Sequence, residues 1–383
     1  MATLRVREQH VAVFGESGSG KTVLVSSFYG AAQEQTFQKE GLYRLVADDV
    51  GQGNRLRQNY LGMKNAARAP EPTRFASTAY AFTLQLKKHP KGSSSAAAFD
   101  ELRLVWHDYP GEWFEEEPST EQEAARRLES FRALLRSDVA VILVDGQKLL
   151  DRAGEEEKYL KSLLWGLREG VVRFTADLLD DGEPLVDFPR IWILALSKAD
   201  LHPDMDVHAF QDLLIEKAAG DVDALHQVLK ELVQVPEALS LGEDFMLLSS
   251  ARFEADRIEV DRRVGLDLLL PVACLLPLER LVRWAERIEI PRRWLDRLAD
   301  NAAAIAPLVG GAAPWFSKVP RFGPFAARTL PLLAAALQHS GPTLRSINAK
   351  ARADGDHLRA VLTQFRLDLE QGVQDDLLVT GTR

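Results

Sequence analysis

Eight consecutive residues, Gly15-Glu16-Ser17-Gly18-Ser19-Gly20-Lys21-Thr22, restrict the fold more than any other part of this 383-residue chain. They follow the short apolar run Val11–Phe14 and lead into a helical pattern from Gly20 to about Ala32. The string fits G-x-x-x-x-G-K-[ST], a phosphate-binding loop, and a strand before with a helix after is the setting in which such a loop works. Successive backbone N–H groups and the helix N-terminus make a concave site for polyphosphate. Gly15, Ser17, Gly18, Ser19 and Gly20 are expected to line that site. Lys21 is expected to reach the β- and γ-phosphates, and the Thr22 hydroxyl to bind Mg²⁺.

The rest of the chain supplies strands and helices in alternation. Leu42–Ala47 is a strand pattern, followed by a helix-like stretch around Asn54–Ala67. Ala79–Leu86 and Leu102–His107 alternate with period two, the mark of half-buried strands, and the loop His89–Ala98 lies between them. Together they predict an antiparallel hairpin at a sheet edge. An acidic amphipathic helix is expected over Glu121–Arg136. The continuous apolar runs Val139–Val144 and Arg190–Leu196 read as buried parallel strands. Helices are expected over 155–180 and 206–234, and a last short strand at Phe245–Leu248. An apolar-periodic helix from Arg262 to Glu289 should be broken or kinked by Pro271 and Pro277. The expected fold class is α/β, with a mainly parallel sheet and one antiparallel hairpin edge. After Pro291 no clear strand is visible, and the pattern becomes helical with many Pro and Gly breaks, ending in a charged amphipathic helix over Arg345–Leu369. A boundary near 290 is expected to separate residues 1–290 from a helical region, 291–383.

Three further motifs follow predicted strands, at the sheet edge where ligands of α/β folds bind. Asp108-Tyr109-Pro110-Gly111 can hold Mg²⁺ through the carboxylate and meet a γ-phosphate through the Gly111 N–H. Ser197-Lys198-Ala199-Asp200 fits [NTS]-K-x-D. Guanine presents N1–H and N2–H₂ as adjacent donors that suit one carboxylate, whereas adenine would leave Asp200 as an unpaired buried charge. The Lys198 stem can lie along the base plane. Ser249-Ser250-Ala251-Arg252 fits S-A-[KR], in which the Ala251 N–H would donate to guanine O6, with Ser250 beside it.

These motifs, in this order, resemble the translation-factor-related, Ras-like P-loop GTPases over about residues 10–290. The string Asp108-Tyr109-Pro110-Gly111-Glu112-Trp113, with Ser197–Asp200 later, is most similar to the bacterial YcjX-like GTPases. The long spacings from Lys21 to Asp108 and from Asp108 to Lys198 imply two insertions in the GTPase domain. The resemblance implies a Mg²⁺-dependent protein that binds GTP and GDP, hydrolyses GTP and acts as a nucleotide-dependent switch. It implies a switch threonine as a further Mg²⁺ ligand, for which Thr73 and Thr78 are both candidates. Glu112 occupies the position where many relatives place a Gln that orients the attacking water. An ionised carboxylate there brings negative charge near the γ-phosphate, so slow turnover is one implication; a solvated acidic loop is the other reading. Arg74 precedes Thr78 in an order similar to the internal arginine finger of heterotrimeric G-protein α-subunits, with one residue more between them. A surface Arg is the alternative. His107 is conceivable as a base but reads first as a half-buried strand histidine. Two other functions remain open: a scaffold that holds GTP or GDP and barely turns over, and a P-loop ATPase.

Composition narrows the partners. The formal net charge of −9 gives no support for broad nucleic-acid binding. The single cysteine, Cys274, excludes an intrachain disulfide framework and lies in an apolar stretch, as a core filler would. No run of about 18 apolar residues is present, so no transmembrane helix is expected. The first residues lack the apolar core of a signal peptide, which points to the cytoplasm. Residues 302–337 carry broken apolar runs with Lys318, Arg321 and Arg328 between them; they fit a peripheral membrane or partner surface, or packing on the GTPase domain. A protein partner is expected to meet the switch loops or the helical tail.

Overall fold

Val139–Val144 has no polar face, so it is stable only with both faces covered. In a computed structural model of the chain it forms the strand Val139–Asp145, buried at every position, beside the equally buried Ile191–Ser197. The structure describes residues 6–70, 78–87, 101–108, 120–179, 182–254, 256–288, 291, 294, 341–353 and 357–381.

The main sheet contains β1 (Val6–Phe14), β2 (Tyr43–Ala47), β3 (Thr78–Leu86), β4 (Glu101–Asp108), β5 (Val139–Asp145), β6 (Ile191–Ser197), β7 (Ser240–Leu247) and, far along the chain, β10 (Leu378–Val379). A separate two-stranded ribbon joins β8 (Arg252–Phe253) to β9 (Ile258–Glu259). The order across the sheet is β10-β7-β6-β5-β1-β4-β3-β2. β4, β1, β5, β6 and β7 are parallel, and β3, β2 and β10 run antiparallel to their neighbours. Central β1 lies between β4 and β5, so the chain leaves it toward opposite sides of the sheet. In folds of this kind ligands bind at such a switch point, here the carboxyl end of β1, where the phosphate-loop sequence begins.

The described helices are α1 (Lys21–Ala32), α2 (Gln35–Glu40), α3 (Val50–Ala66), α4 (Glu121–Leu134), α5 (Gly146–Asp151), α6 (Glu156–Leu178), α7 (Val207–Leu232), α8 (Leu269–Arg287), α9 (Gly341–Ala353) and α10 (His357–Gln374). Alternation along β1 divides the core in two. Val11 and Val13 join Leu24 and Val25 of α1, Leu56 of α3, Leu276 of α8 and Phe365 of α10. Ala12 and Phe14 face the other way, onto Phe131 of α4, Leu164 of α6 and Phe210 of α7. Phe14 stacks on Trp192 of β6 at 5.3 Å between ring centres. Each such side chain contributes about 1.5–3 kcal/mol when fully buried. Both layers grip β1 and so hold the loop that follows it.

The expected α/β class holds, and β3 and β4 form the antiparallel hairpin. β2 adds outside the hairpin and is the edge strand. Several expectations need correction. The tail does supply a strand: β10 pairs with β7, and two residues are too few for any alternation to show. The expected helix over Arg345–Leu369 is two helices, α9 and α10, with the breaker sequence Asp354-Gly355-Asp356 between them. α8 starts at Leu269 rather than Arg262, so Pro271 falls in its first turn, where a missing N–H leaves no bond unmade. Pro277 lies inside α8, which continues to Arg287. The helices expected over 206–234 appear as α7, with a kink at Ala218. β7 begins at Ser240, five residues before the apolar run that signalled it. Cys274 is buried in the core as expected. Among the described residues no helix is long and apolar enough to cross a membrane. Residues 302–337 lie outside the described ones.

Candidate functional site

The phosphate loop is shaped by three glycines. Gly18 and Gly20 have φ of 81° and 92°, a region that side-chain-bearing residues rarely adopt. At Gly15 the constraint is space: a Cβ there would lie 2.5 Å from Ser19 Oγ. Gly20 is the residue before α1, and no side chain caps that helix. The start of this helix lies at the end of the loop, the place where helix N-termini bind anions. Lys21 is only 8% exposed and donates from Nζ to the carbonyls of Gly15, at 2.6 Å, and Glu16, at 3.0 Å. Its ammonium is thus held across the mouth of the loop. Ser19 Oγ is buried with no hydrogen-bond partner among the described residues. Thr22 follows Lys21 in the first turn of α1.

Asp108 ends β4 and is 3% exposed. Thr78, the first residue of β3, stands directly across the ladder from it. A hydroxyl from Thr22 and the Asp108 carboxylate are hard oxygen donors of the kind Mg²⁺ takes. Thr73, Arg74, Gly111 and Glu112 lie outside the described residues, as does the Thr78 side chain.

His107, next to Asp108, faces the opposite side of the sheet. Its Nε2 is 2.9 Å from Nδ1 of His10, whose Nε2 is 2.7 Å from Glu8 Oε1. The two imidazoles stack at 5.2 Å. Burial, reinforced by His10, pushes His107 down to about 4, so it is neutral at neutral pH and a weak base. Its position is that of a strand histidine.

The base-recognition motifs come together at the ends of β6 and β7. Ser197 is buried and donates from Oγ to the Val144 carbonyl at 3.2 Å. Lys198 has φ of 54°. The Leu248 N–H donates to the Leu196 carbonyl and the Ala199 N–H to the Leu248 carbonyl, so backbone bonds join the two loops. Asp200 Oδ1 accepts from Ser249 Oγ at 2.6 Å. Ser250 and Ala251 are buried, and Ala251 packs with Tyr60, Met63, Ile258 and Val260.

Sequence reasoning missed the third member of this assembly, the end of β5. Asp145 is buried, and its carboxylate receives Lys198 Nζ at 2.8 and 2.9 Å. It also caps α5, accepting from the Gln147 N–H at 2.9 Å. The Asp145 N–H donates to Oη of buried Tyr159 at 2.8 Å, and burial raises the Tyr159 phenol well above its usual range, keeping it neutral. Gly146 permits the close approach of β5 and the Lys198 turn: a Cβ there would lie 2.6 Å from the Ser197 carbonyl oxygen. One turn on, Lys148 reaches back to Glu16 of the phosphate loop at 2.7 Å. The one available signal was Asp145-Gly146 at the end of an apolar strand, a pair common in ordinary turns.

Comparison with known proteins adds the following. A family model described as Double-GTPase 2 matches residues 9–214, more than half of the chain. A structure of nucleolar GTP-binding protein 1 from Plasmodium falciparum is 13% identical, with 78% of this chain and 96% of that chain covered and a TM-score of 0.32. A structure of the signal recognition particle receptor SRb-GTP/SRX complex from Chaetomium thermophilum is 14% identical, with coverages of 65% and 91% and a TM-score of 0.30. No curated protein matches the sequence.

Proposed function

The chain belongs to the Double-GTPase 2 family, a family of P-loop GTPases, and on that premise we propose that it binds GTP, cleaves it to GDP and acts as a nucleotide-dependent switch. One observation carries the reading: the uncapped, glycine-shaped loop before α1 and the Asp200–Ser249 pair occupy the same edge of one sheet. The first suits phosphates of any nucleotide; the second suits the adjacent N–H donors of guanine.

In this reading the N–H groups of Gly15–Lys21 and the Lys21 ammonium hold the β- and γ-phosphates. Thr22 and Asp108 would hold Mg²⁺, with Thr73 or Thr78 as the switch ligand. The ion would neutralise charge on the phosphate oxygens. The Gly111 N–H meets the γ-phosphate, and Glu112 and Arg74 are the candidate catalytic side chains. Ser197, Lys198, Asp200, Ser250 and Ala251 receive the base. The segments Thr73–Thr78 and Asp108–Glu117 order on γ-phosphate and relax after its loss, and a protein partner would read that change.

The test is to identify the nucleotide released from purified protein, prepared with and without Mg²⁺. GTP or GDP is expected, and Asp200→Asn should weaken guanine-nucleotide binding about a hundredfold. Equal binding of ATP and GTP by the wild type would sink the assignment. Glu112 favours a second reading, a scaffold that holds its nucleotide. Single-turnover cleavage by wild type, Glu112→Gln and Arg74→Ala separates the two. Measurable wild-type turnover that collapses in Lys21→Ala rules out the scaffold.

A further inference from the structure

The base-recognition loops are tied from behind by a segment more than a hundred residues away in sequence. The Asp376 carbonyl accepts from the N–H of Val207, the first residue of α7, at 3.0 Å. The Leu377 carbonyl accepts from the N–H of Leu247 at 2.9 Å, two residues before Ser249. Leu378 and Val379 then pair with Met246 and Phe245. Val207 lies seven residues after Asp200 and Leu247 two before Ser249, so the segment grips the chain beyond Asp200 and just before Ser249.

A buried charge network fixes where the segment lies. Asp244 of β7 and Arg280 of α8 form an ion pair with both side chains fully buried. Removing two such charges from water is costly unless every remaining polar site finds a partner. The segment helps to provide that. The Gly381 N–H donates to Asp244 Oδ1 at 3.0 Å, while Ser240 Oγ donates to Oδ2 at 2.7 Å. Arg283 donates to the Gly381 carbonyl at 3.1 Å. Gly381 has no room for a side chain: a Cβ would lie 2.7 Å from Glu243 Cβ and 3.0 Å from an Arg280 nitrogen.

We propose that residues 376–381 form a strap that positions the base-recognition loops, so that selectivity for guanine depends on this distant segment. The proposal rests on the GTP reading above. The strap touches no nucleotide; Asp376, Leu377 and Gly381 are positioning residues that act through Val207, Leu247 and Asp244. Loosening it should cost the contact to the guanine 2-amino group, which depends on the placement of Asp200, and spare the phosphate loop, which is built from its own backbone.

The test compares full-length wild type, Gly381→Val and Arg283→Met. Affinities for GDP, IDP and ADP are measured by competition against a fluorescent guanine nucleotide, and amide hydrogen exchange is followed at Leu247. IDP lacks the 2-amino group and keeps the diphosphate. Gly381→Val should speed exchange at Leu247 and reduce the preference for GDP over IDP by about tenfold, on the scale of one hydrogen bond to a charged group. IDP keeps the N1–H contact to Asp200, so its affinity should fall too, but by less, while ADP affinity should not change. Arg283→Met removes one bond to the strap and should give a smaller change in the same direction; it decides the matter if Gly381→Val does not fold. Faster exchange at Leu247 with an unchanged GDP-to-IDP ratio, or equal losses for both nucleotides, overturns the strap alone. A wild type that binds ADP as tightly as GDP overturns the guanine reading and the strap's role with it.

Discussion

In the proposed reading, eight neighbouring residues make the phosphate half of the site, whereas the base half is gathered from three strand ends, Asp145–Lys148, Ser197–Asp200 and Ser249–Ala251. In the first half local backbone geometry does nearly everything: two left-handed glycines, one glycine with no room for a Cβ and an open helix end. In the second half the positions depend on side chains of separate elements, with Asp145 holding Lys198 and Ser249 holding Asp200. A locally encoded site should tolerate distant change and fail at single residues within it. A gathered site should lose precision gradually, from changes that never touch the ligand.

The largest expected effect tests the local half. Lys21→Ala removes the only ammonium in the loop and should lower single-turnover GTP cleavage by about 10²–10³-fold, with the unfolding midpoint in urea little changed. A loss below tenfold would mean that the backbone N–H groups suffice. Acid is the next lever. His107 is held near 4 in the folded protein by burial and then by His10, against an ordinary value of 6.5. The unfolded chain therefore binds the proton first, so stability contributed above pH 6.5 is lost as the pH falls toward 4. A shift of that size is on the order of 3 kcal/mol. Urea unfolding between pH 7 and 4 should show the loss, and His107→Asn should flatten it.

Gly146→Ala tests the gathered half. Its Cβ would press on the Ser197 carbonyl oxygen and separate β5 from the Lys198 turn. We expect a loss of about 1–3 kcal/mol in urea unfolding and weaker guanine-nucleotide binding, with phosphate-only ligands such as tripolyphosphate bound as before. The smallest effect concerns a side-chain link between the halves, Glu16–Lys148, which is partly exposed. A double-mutant cycle with Glu16→Gln and Lys148→Met should give a coupling of roughly 0.5 kcal/mol that fades in high salt. A coupling near zero in low salt would mean that this pair does not join the two halves.

The same contrast explains what could be read from the residues alone. Lys21, Asp108, Lys198 and Asp200 each sit in a short string whose chemistry is legible without a fold, and buried strands announce themselves through runs such as Val139–Val144. Asp145, Lys148 and Ser249 carry no such signature, because their roles exist only once β5, β6 and β7 stand side by side. β10 escaped for a different reason: it is a strand through its partner, and its two residues have no pattern of their own. Ser249 shows the limit of motif matching, since the hydroxyl that meets Asp200 belongs to the serine before the S-A-R string.

The wide sequence separation in the strap also has a consequence in time. Gly381 and its partner Asp244 are 137 residues apart. At about 5–20 residues per second, a ribosome makes β7 roughly 7–27 seconds before its outer partner exists. During that interval the sheet has an open parallel edge, and Asp244 and Arg280 lack the Gly381 amide. A nascent chain would thus acquire its phosphate loop early and its base selectivity only after residues 376–381 have emerged.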